Sequence, residues 1–166
     1  LHRVDRRQRQ MCIRDSPSAD VHEFSFLEGE VHIGASVFVA PGTAVTAELG
    51  AAVAIAEGCA LLPGVIISGV AGAQVTSPEI ARSAASRDRY SVWVGDRTVV
   101  SHKSMIHSPA FIGKDCFIGL RSTIFNARLG DGCVVMMHAL VQDVEIPPGK
   151  CCLLYTSDAA DDLLCV

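Results

Sequence analysis

The side chains best suited to metal or nucleophilic chemistry here are six histidines and seven cysteines. His2 lies in the first few residues, His22 and His32 stand singly, and His138 sits inside Met136-Met137-His138-Ala139, where a structural or surface role is expected. His102 and His107 are different: one follows Val100 by two positions, the other follows Ile106 by one. Neutral imidazoles are the commonest ligands for zinc and other divalent metals. Five residues of extended chain span roughly 16 Å, less what an intervening turn removes, whereas a zinc–nitrogen bond is only about 2.0–2.1 Å. One metal is therefore hard to reach from both histidines of one subunit. Two subunits packed side by side could supply one each, which makes an interface the natural metal site. The alternative is a pair of surface or interface histidines with no ligand.

The cysteines show no CxxC pair and no zinc-ribbon spacing. Cys12, Cys151, Cys152 and Cys165 lie near the ends, leaving Cys59, Cys116 and Cys133 within the regular part of the chain. A disulfide framework is not expected among them.

The elements that carry these residues follow from a six-residue period. Val94, Val100, Ile106, Ile112, Ile118 and Ile124 are evenly spaced, and after a five-residue step come Leu129, Val135 and Val141, then Ile146. The same spacing appears upstream at Ile33, Val39 and Val45, and again from Leu61 to Ile67. Gly often follows the aliphatic residue, as at Gly34, Gly95, Gly113, Gly119 and Gly130. A small residue often stands four positions after it, and Cys59, Cys116 and Cys133 all occupy that slot, which makes them packing residues. Three short strands and three tight turns make one triangular coil of about 18 residues, and coils stack side chains in layers. The aliphatic residue fills the interior, the small one fits a crowded corner, and Gly permits close backbone approach or positive φ. A helix does not fit a six-residue period rich in Gly and β-branched residues. Residues 29–150 are thus expected to form a parallel β-helix of the hexapeptide-repeat kind. Residues 69–89 break the pattern and are expected to protrude as a long loop, with a short helix near 77–86.

Composition agrees with such a core. The chain is 49% hydrophobic but only 5% aromatic, so its interior must be aliphatic. A net charge of −4 without a basic stripe excludes a nucleic-acid binder. No apolar run approaches the roughly 18–20 residues needed to span a bilayer, and no secretory signal is visible. The chain reads as soluble and intracellular. Residues 1–16 are Arg-rich and residues 151–166 Asp-rich, and neither continues the period. Both look like translated sequencing-adapter read-through, natural tails being the alternative, so the domain is expected over 17–150.

The stretch YSVWVGDRTVVSHKSMIHSPAFIGKDCFIGLRSTIFNARLGDGCVVMMHALVQDVEIPPGK, residues 90–150, resembles the γ-class carbonic anhydrase-like domain at the N-terminus of carboxysome scaffold proteins. The upstream VHIGASVFVAPGTAV and GVIISGV match the first coils of that domain in order. The resemblance implies a left-handed β-helix, a homotrimer and, in active members, zinc or another divalent metal held between subunits by three histidines. It carries two of those ligands onto His102 and His107. The third, in a family stretch reading GVVIHG, falls on Ser68 of GVIISG. A family Arg-Ala-Asp element becomes Thr46-Ala47-Glu48 and an Asn-Ile-Gln-Asp element becomes Ala60-Leu61-Leu62-Pro63, while Asn126 is kept.

A catalytic zinc needs three protein ligands so that bound water ionises near pH ~7. Two histidines and a neutral serine weaken both affinity and activation, and second-shell groups worth about 10–100-fold each are missing too. The resemblance therefore implies a cytoplasmic, carboxysome-located scaffolding domain with a degenerate metal site and no confident catalytic residue, Glu48 and Asn126 being weak candidates. Its expected partners are carboxysome shell and core proteins and a separate carbonic anhydrase. The alternative is an active γ-carbonic anhydrase interconverting carbon dioxide and bicarbonate. A hexapeptide acyltransferase shares the repeat but explains neither the 90–150 match nor the paired histidines. The Rubisco-small-subunit-like repeats of such scaffold proteins are absent, so the chain is expected to be a fragment.

Overall fold

The computed structural model describes residues 14–75 and 90–153. The expected helix near 77–86 and most of both end segments lie outside the described residues.

Every strand-to-strand pairing among the described strands is parallel, and each strand pairs with one roughly a coil away in sequence, except β7–β10, β8–β11 and β9–β12, whose partners lie about two coils apart. The result is a triangular solenoid with three faces. The first face stacks β1 (Arg14–Asp15), β4 (Val31–Ile33), β7 (Ala52–Ile55), β10 (Tyr90–Val94), the second halves of β12 (Met105–Ile112) and β14 (Thr123–Leu129), and β17 (Glu145–Ile146). The second face is a 7-stranded sheet of β2 (Asp20–Val21), β5 (Phe38–Val39), β8 (Ala60–Leu61), β11 (Val99–Val100), β13 (Phe117–Ile118), β15 (Val134–Val135) and β18 (Cys151–Cys152). The third face stacks β3 (Phe26–Glu28), β6 (Ala44–Ala47), β9 (Ile66–Gly69), the first halves of β12 and β14, and β16 (Leu140–Gln142). Because β12 and β14 run through the corner between the third and first faces, these two faces join into one 11-stranded sheet. Strands β1 and β18 lie in the two end segments that break the period, yet both stack on the solenoid.

The six-residue period is the interior. On the first face Ile33, Ile55, Val94, Ile112, Leu129 and Ile146 are successive register partners. On the third face Leu27, Val45, Ile67, Ile106, Ile124 and Val141 do the same. All are buried. A fully buried aliphatic side chain contributes about 1.5–3 kcal/mol, and the column repeats that gain coil after coil.

The two structural roles expected of Gly separate in the fold. Gly119, directly after Ile118, has ordinary φ but lies against the next coil: a Cβ there would stand 2.6 Å from the Met136 carbonyl carbon. Positive φ occurs instead at the corner turns, where Gly64, Lys103, Arg121 and His138 follow one another down the corner between the second and third faces. The sequence pattern hid this second column because only some of its members are Gly. His138 is thus an exposed turn residue.

The small-residue slot also has a polar function. Cys59 Sγ donates to the Gly95 carbonyl at 3.0 Å, Thr98 Oγ1 to Gly113 at 2.9 Å and Ser104 Oγ to Gly119 at 2.7 Å. Cys116 and Cys133 donate to the Gly130 and Pro147 carbonyls. Where the small residue carries a donor, it satisfies a buried carbonyl of the next coil; Val37, Ala110 and Ala139 fill the same slot by size alone. Cys59, Cys116 and Cys133 are free and buried, while Cys152 in β18 is disulfide-bonded.

Candidate functional site

The outward side chains of the third face form a row through β3, β6, β9, β12, β14 and β16: Glu28, Thr46, Ser68, His107, Phe125 and Gln142. Ser68 and His107 are register partners on adjacent strands, so their side chains project side by side from rungs about 4.8 Å apart. Both are partly buried. Phe125 flanks His107 on the other side, with ring centroids 5.2 Å apart. His107 Nδ1 lies 2.9 Å from the Ser108 carbonyl, which can only accept, so Nδ1 is the donor in this contact. A backbone carbonyl on one ring nitrogen is the usual way a metal-ligating or basic histidine is oriented. Ser108 is itself buried and held by a hydrogen bond from the Val70 N–H to its hydroxyl, at 2.8 Å.

His102 is elsewhere. It is exposed in the turn at the corner of the second and third faces, with Nδ1 3.5 Å from Ser101 Oγ. His107 is the third residue of β12, the strand that starts beyond that corner. The fold thus joins His107 to Ser68 and holds His102 apart from both.

The weaker candidates are committed to local structure. Glu48 Oε2 accepts from the Ala71 N–H at 2.8 Å and the Glu48 N–H donates to the Gly69 carbonyl, so this residue clips the start of the excursion after β9. Asn126, at the corner of the third and first faces, has a positive φ and donates through Nδ2 to Asp143 at 2.6 Å. Gln142 Nε2 donates to the other oxygen of the same carboxylate at 2.9 Å. These two amide donors, Asn126 first, hold the Asp143 carboxyl below the ordinary carboxylate range. The Cys59 and Cys116 thiols are each pushed up to about 11, chiefly by burial, which removes them as nucleophiles.

Among the described residues no group of three His, Cys, Asp or Glu side chains in one chain could hold a metal ion. A second copy could add His102 to His107 and Ser68, but that set is two imidazoles and a neutral hydroxyl. It does not fit the three-nitrogen donor set of a catalytic zinc centre, because serine neither donates charge at neutral pH nor ranks among the usual zinc ligands.

The outside of the first face holds a feature with no signature in the six-residue period. Tyr90 and Phe111 are buried there with Ala52 and Ala54, Trp93 and Val75 pack against them, and Arg128 lies 4.1 Å over the Phe111 ring. Tyr90 OH is 3.0 Å from His32 Nδ1. A pairing of outward residues on the same face, one coil apart, would have been the only sequence signal for it.

A solenoid whose corners, slots and interior repeat in this way has the hexapeptide-repeat fold. Residues 109–137 match the family model described as the hexapeptide repeat of succinyl-transferase. The fold is also that of a hexapeptide transferase family protein from Anaplasma phagocytophilum, with a TM-score of 0.67 at 14% identity over 84% of this chain and 72% of that one. More particularly, the chain is 47% identical over 133 residues to the carboxysome assembly protein CcmM of Nostoc sp., covering 80% of this chain and 23% of the relative. It is 28% identical over 153 residues to a carbonic anhydrase of Methanosarcina thermophila, covering 89% of this chain and 62% of that enzyme. The chain is therefore similar to one segment of the carboxysome assembly proteins and, more weakly, to the Methanosarcina enzyme, and spans less than a quarter of the Nostoc relative.

Proposed function

We propose that this chain is a structural module of a carboxysome scaffold, a γ-carbonic anhydrase-like prism whose metal site no longer supports catalysis. The observation that carries this reading is the register pair Ser68–His107. The row on which the family site would be built is intact in backbone, yet a hydroxyl stands beside His107 where an imidazole would be needed. Similarity to carboxysome assembly proteins supports a setting in the carboxysome within the cytoplasm; in this reading the partners are shell and core proteins and a separate carbonic anhydrase.

The module is a homotrimer in this reading. Two faces carry outward apolar rows that meet at the His102 corner. Phe38 and Phe117, with Val99 and Val134, stand on the second face, and Phe26, Ile66, Met105 and Leu140 on the third. Exposed apolar surface of this extent is characteristic of protein–protein contacts. Packing that corner against the neighbour's third face would bring His102 of one copy toward His107 of the next.

Zinc analysis of the purified protein, alongside a carbon dioxide hydration assay, tests the proposal. Substoichiometric zinc and background hydration are expected; stoichiometric zinc with hydration above background would overturn it. A second reading, an active γ-carbonic anhydrase, draws on one observation: His107 Nδ1 is held by the Ser108 carbonyl in the manner of a metal ligand. The same assay decides between them.

A further inference from the structure

Two exposed charged groups in this chain are without a charge partner among the described residues, and they suit one another across a boundary between copies. Arg121 stands in the corner column directly below Lys103, its N–H donating to the His102 carbonyl, and makes no ion pair among the described residues. Asp143 is exposed on the opposite corner of the third face, its two oxygens fixed by Asn126 and Gln142, with no cation on it among the described residues. Amide donors on both oxygens orient the carboxylate and favour its ionised form without neutralising it, an arrangement suited to receiving a cation.

We infer that Arg121 of one copy pairs with Asp143 of its neighbour, and that this ion pair sets the register of the assembly. The inference rests on the trimer proposed above. Three prisms side by side with parallel axes keep like coils at like height. If His102 of one copy meets the Ser68–His107 level of the next, Arg121, one coil further on, meets Phe125 and Asn126, which succeed His107 down the face. Asp143 is one rung beyond Asn126, and the long guanidinium side chain spans a rung of about 4.8 Å. Arginine is the cation suited to this role, since its planar fork can engage both carboxylate oxygens. The pair would be continuous with the apolar rows, placing a directional contact at the rim of a non-directional one.

Charge reversal tests this. Sedimentation velocity across a dilution series should show a trimer for the unaltered protein. Arg121→Glu and Asp143→Lys should each raise the dissociation constant by about tenfold or more, because like charges then face each other at three sites. The double reversal should recover most of that loss. Both positions have positive φ, as Lys103 does, so circular dichroism is recorded on every variant. Arg121→Gln and Asp143→Asn serve as the milder pair if a reversal fails to fold, each then weakening the trimer less and the two together no more than either alone. A trimer indifferent to the single changes, or losses that simply multiply in the double variant, would overturn the ion pair while leaving the trimer standing. A monomeric unaltered protein would overturn the trimer itself.

Discussion

The interior of the solenoid and the outward row of its third face are made of the same strands, and they have been held to different standards. Inward positions carry Leu27, Val45, Ile67, Ile106, Ile124 and Val141, a column of one chemistry throughout. Outward positions one residue further along carry Glu28, Thr46, Ser68, His107, Phe125 and Gln142, with no shared character. Each interior residue packs on its neighbours above and below, so any change is felt by three coils. Each outward residue answers only to whatever binds there. A prism can therefore stay sound while the site on its surface changes, which is the state we propose for this chain.

The sharpest way to expose that contrast is to exchange one residue from each column. Ile106→Ala removes a fully buried side chain between Ile67 and Ile124 and should cost about 2–5 kcal/mol in urea unfolding. Ser68→His, one strand away but facing outward, should leave the midpoint nearly unchanged. Equal losses in both would erase the distinction between the columns. Gly119→Ala should follow, at about 1–3 kcal/mol, since its Cβ would press on the Met136 backbone with no flexible side chain to yield. A neutral Gly119→Ala would mean the coils can separate without penalty.

Alkaline pH offers a milder probe of the interior. Burial raises the Cys59 and Cys116 thiols to about 11 in the folded state, above their unfolded range. A raised pKa contributes stability below the unfolded value and loses it as pH climbs through the folded one. The unfolding midpoint should therefore decline between pH about 9 and about 11, and Cys59→Ala should flatten part of that decline. An identical pH profile in the variant would contradict a buried neutral thiol. The smallest effect is expected from Arg97→Ala, whose ion pair with Asp115 is short but exposed, and thermal denaturation should barely register it.

Much of this organisation can be read before any coordinates are known, and the reason is periodicity. The aliphatic column recurs every six residues, so Ile106 and Ile124 declare themselves, and the slot that Cys59, Cys116 and Cys133 share follows from it. What spacing could not convey is pairing between coils of unequal length. Ser68 and His107 are neighbours on adjacent strands but far apart in sequence, outside the six-residue spacing, and only resemblance to a family stretch placed Ser68 near the histidines. Glu48 looked available for chemistry because nothing local shows its carboxylate receiving the Ala71 N–H. The aromatic cluster of Tyr90, Trp93 and Phe111 escaped for the same reason: its members face outward, where the repeat imposes no pattern.

The central claim, a sound prism carrying an incomplete metal site, comes down to the identity of one side chain. Zinc should therefore be titrated in parallel into the unaltered protein and the Ser68→His variant, with bound metal counted per chain after dialysis. Little retained zinc is expected in the former and a marked rise in affinity, approaching one zinc per site, in the latter. Full, tightly held zinc in the unaltered protein, or no gain in the variant, would contradict the claim.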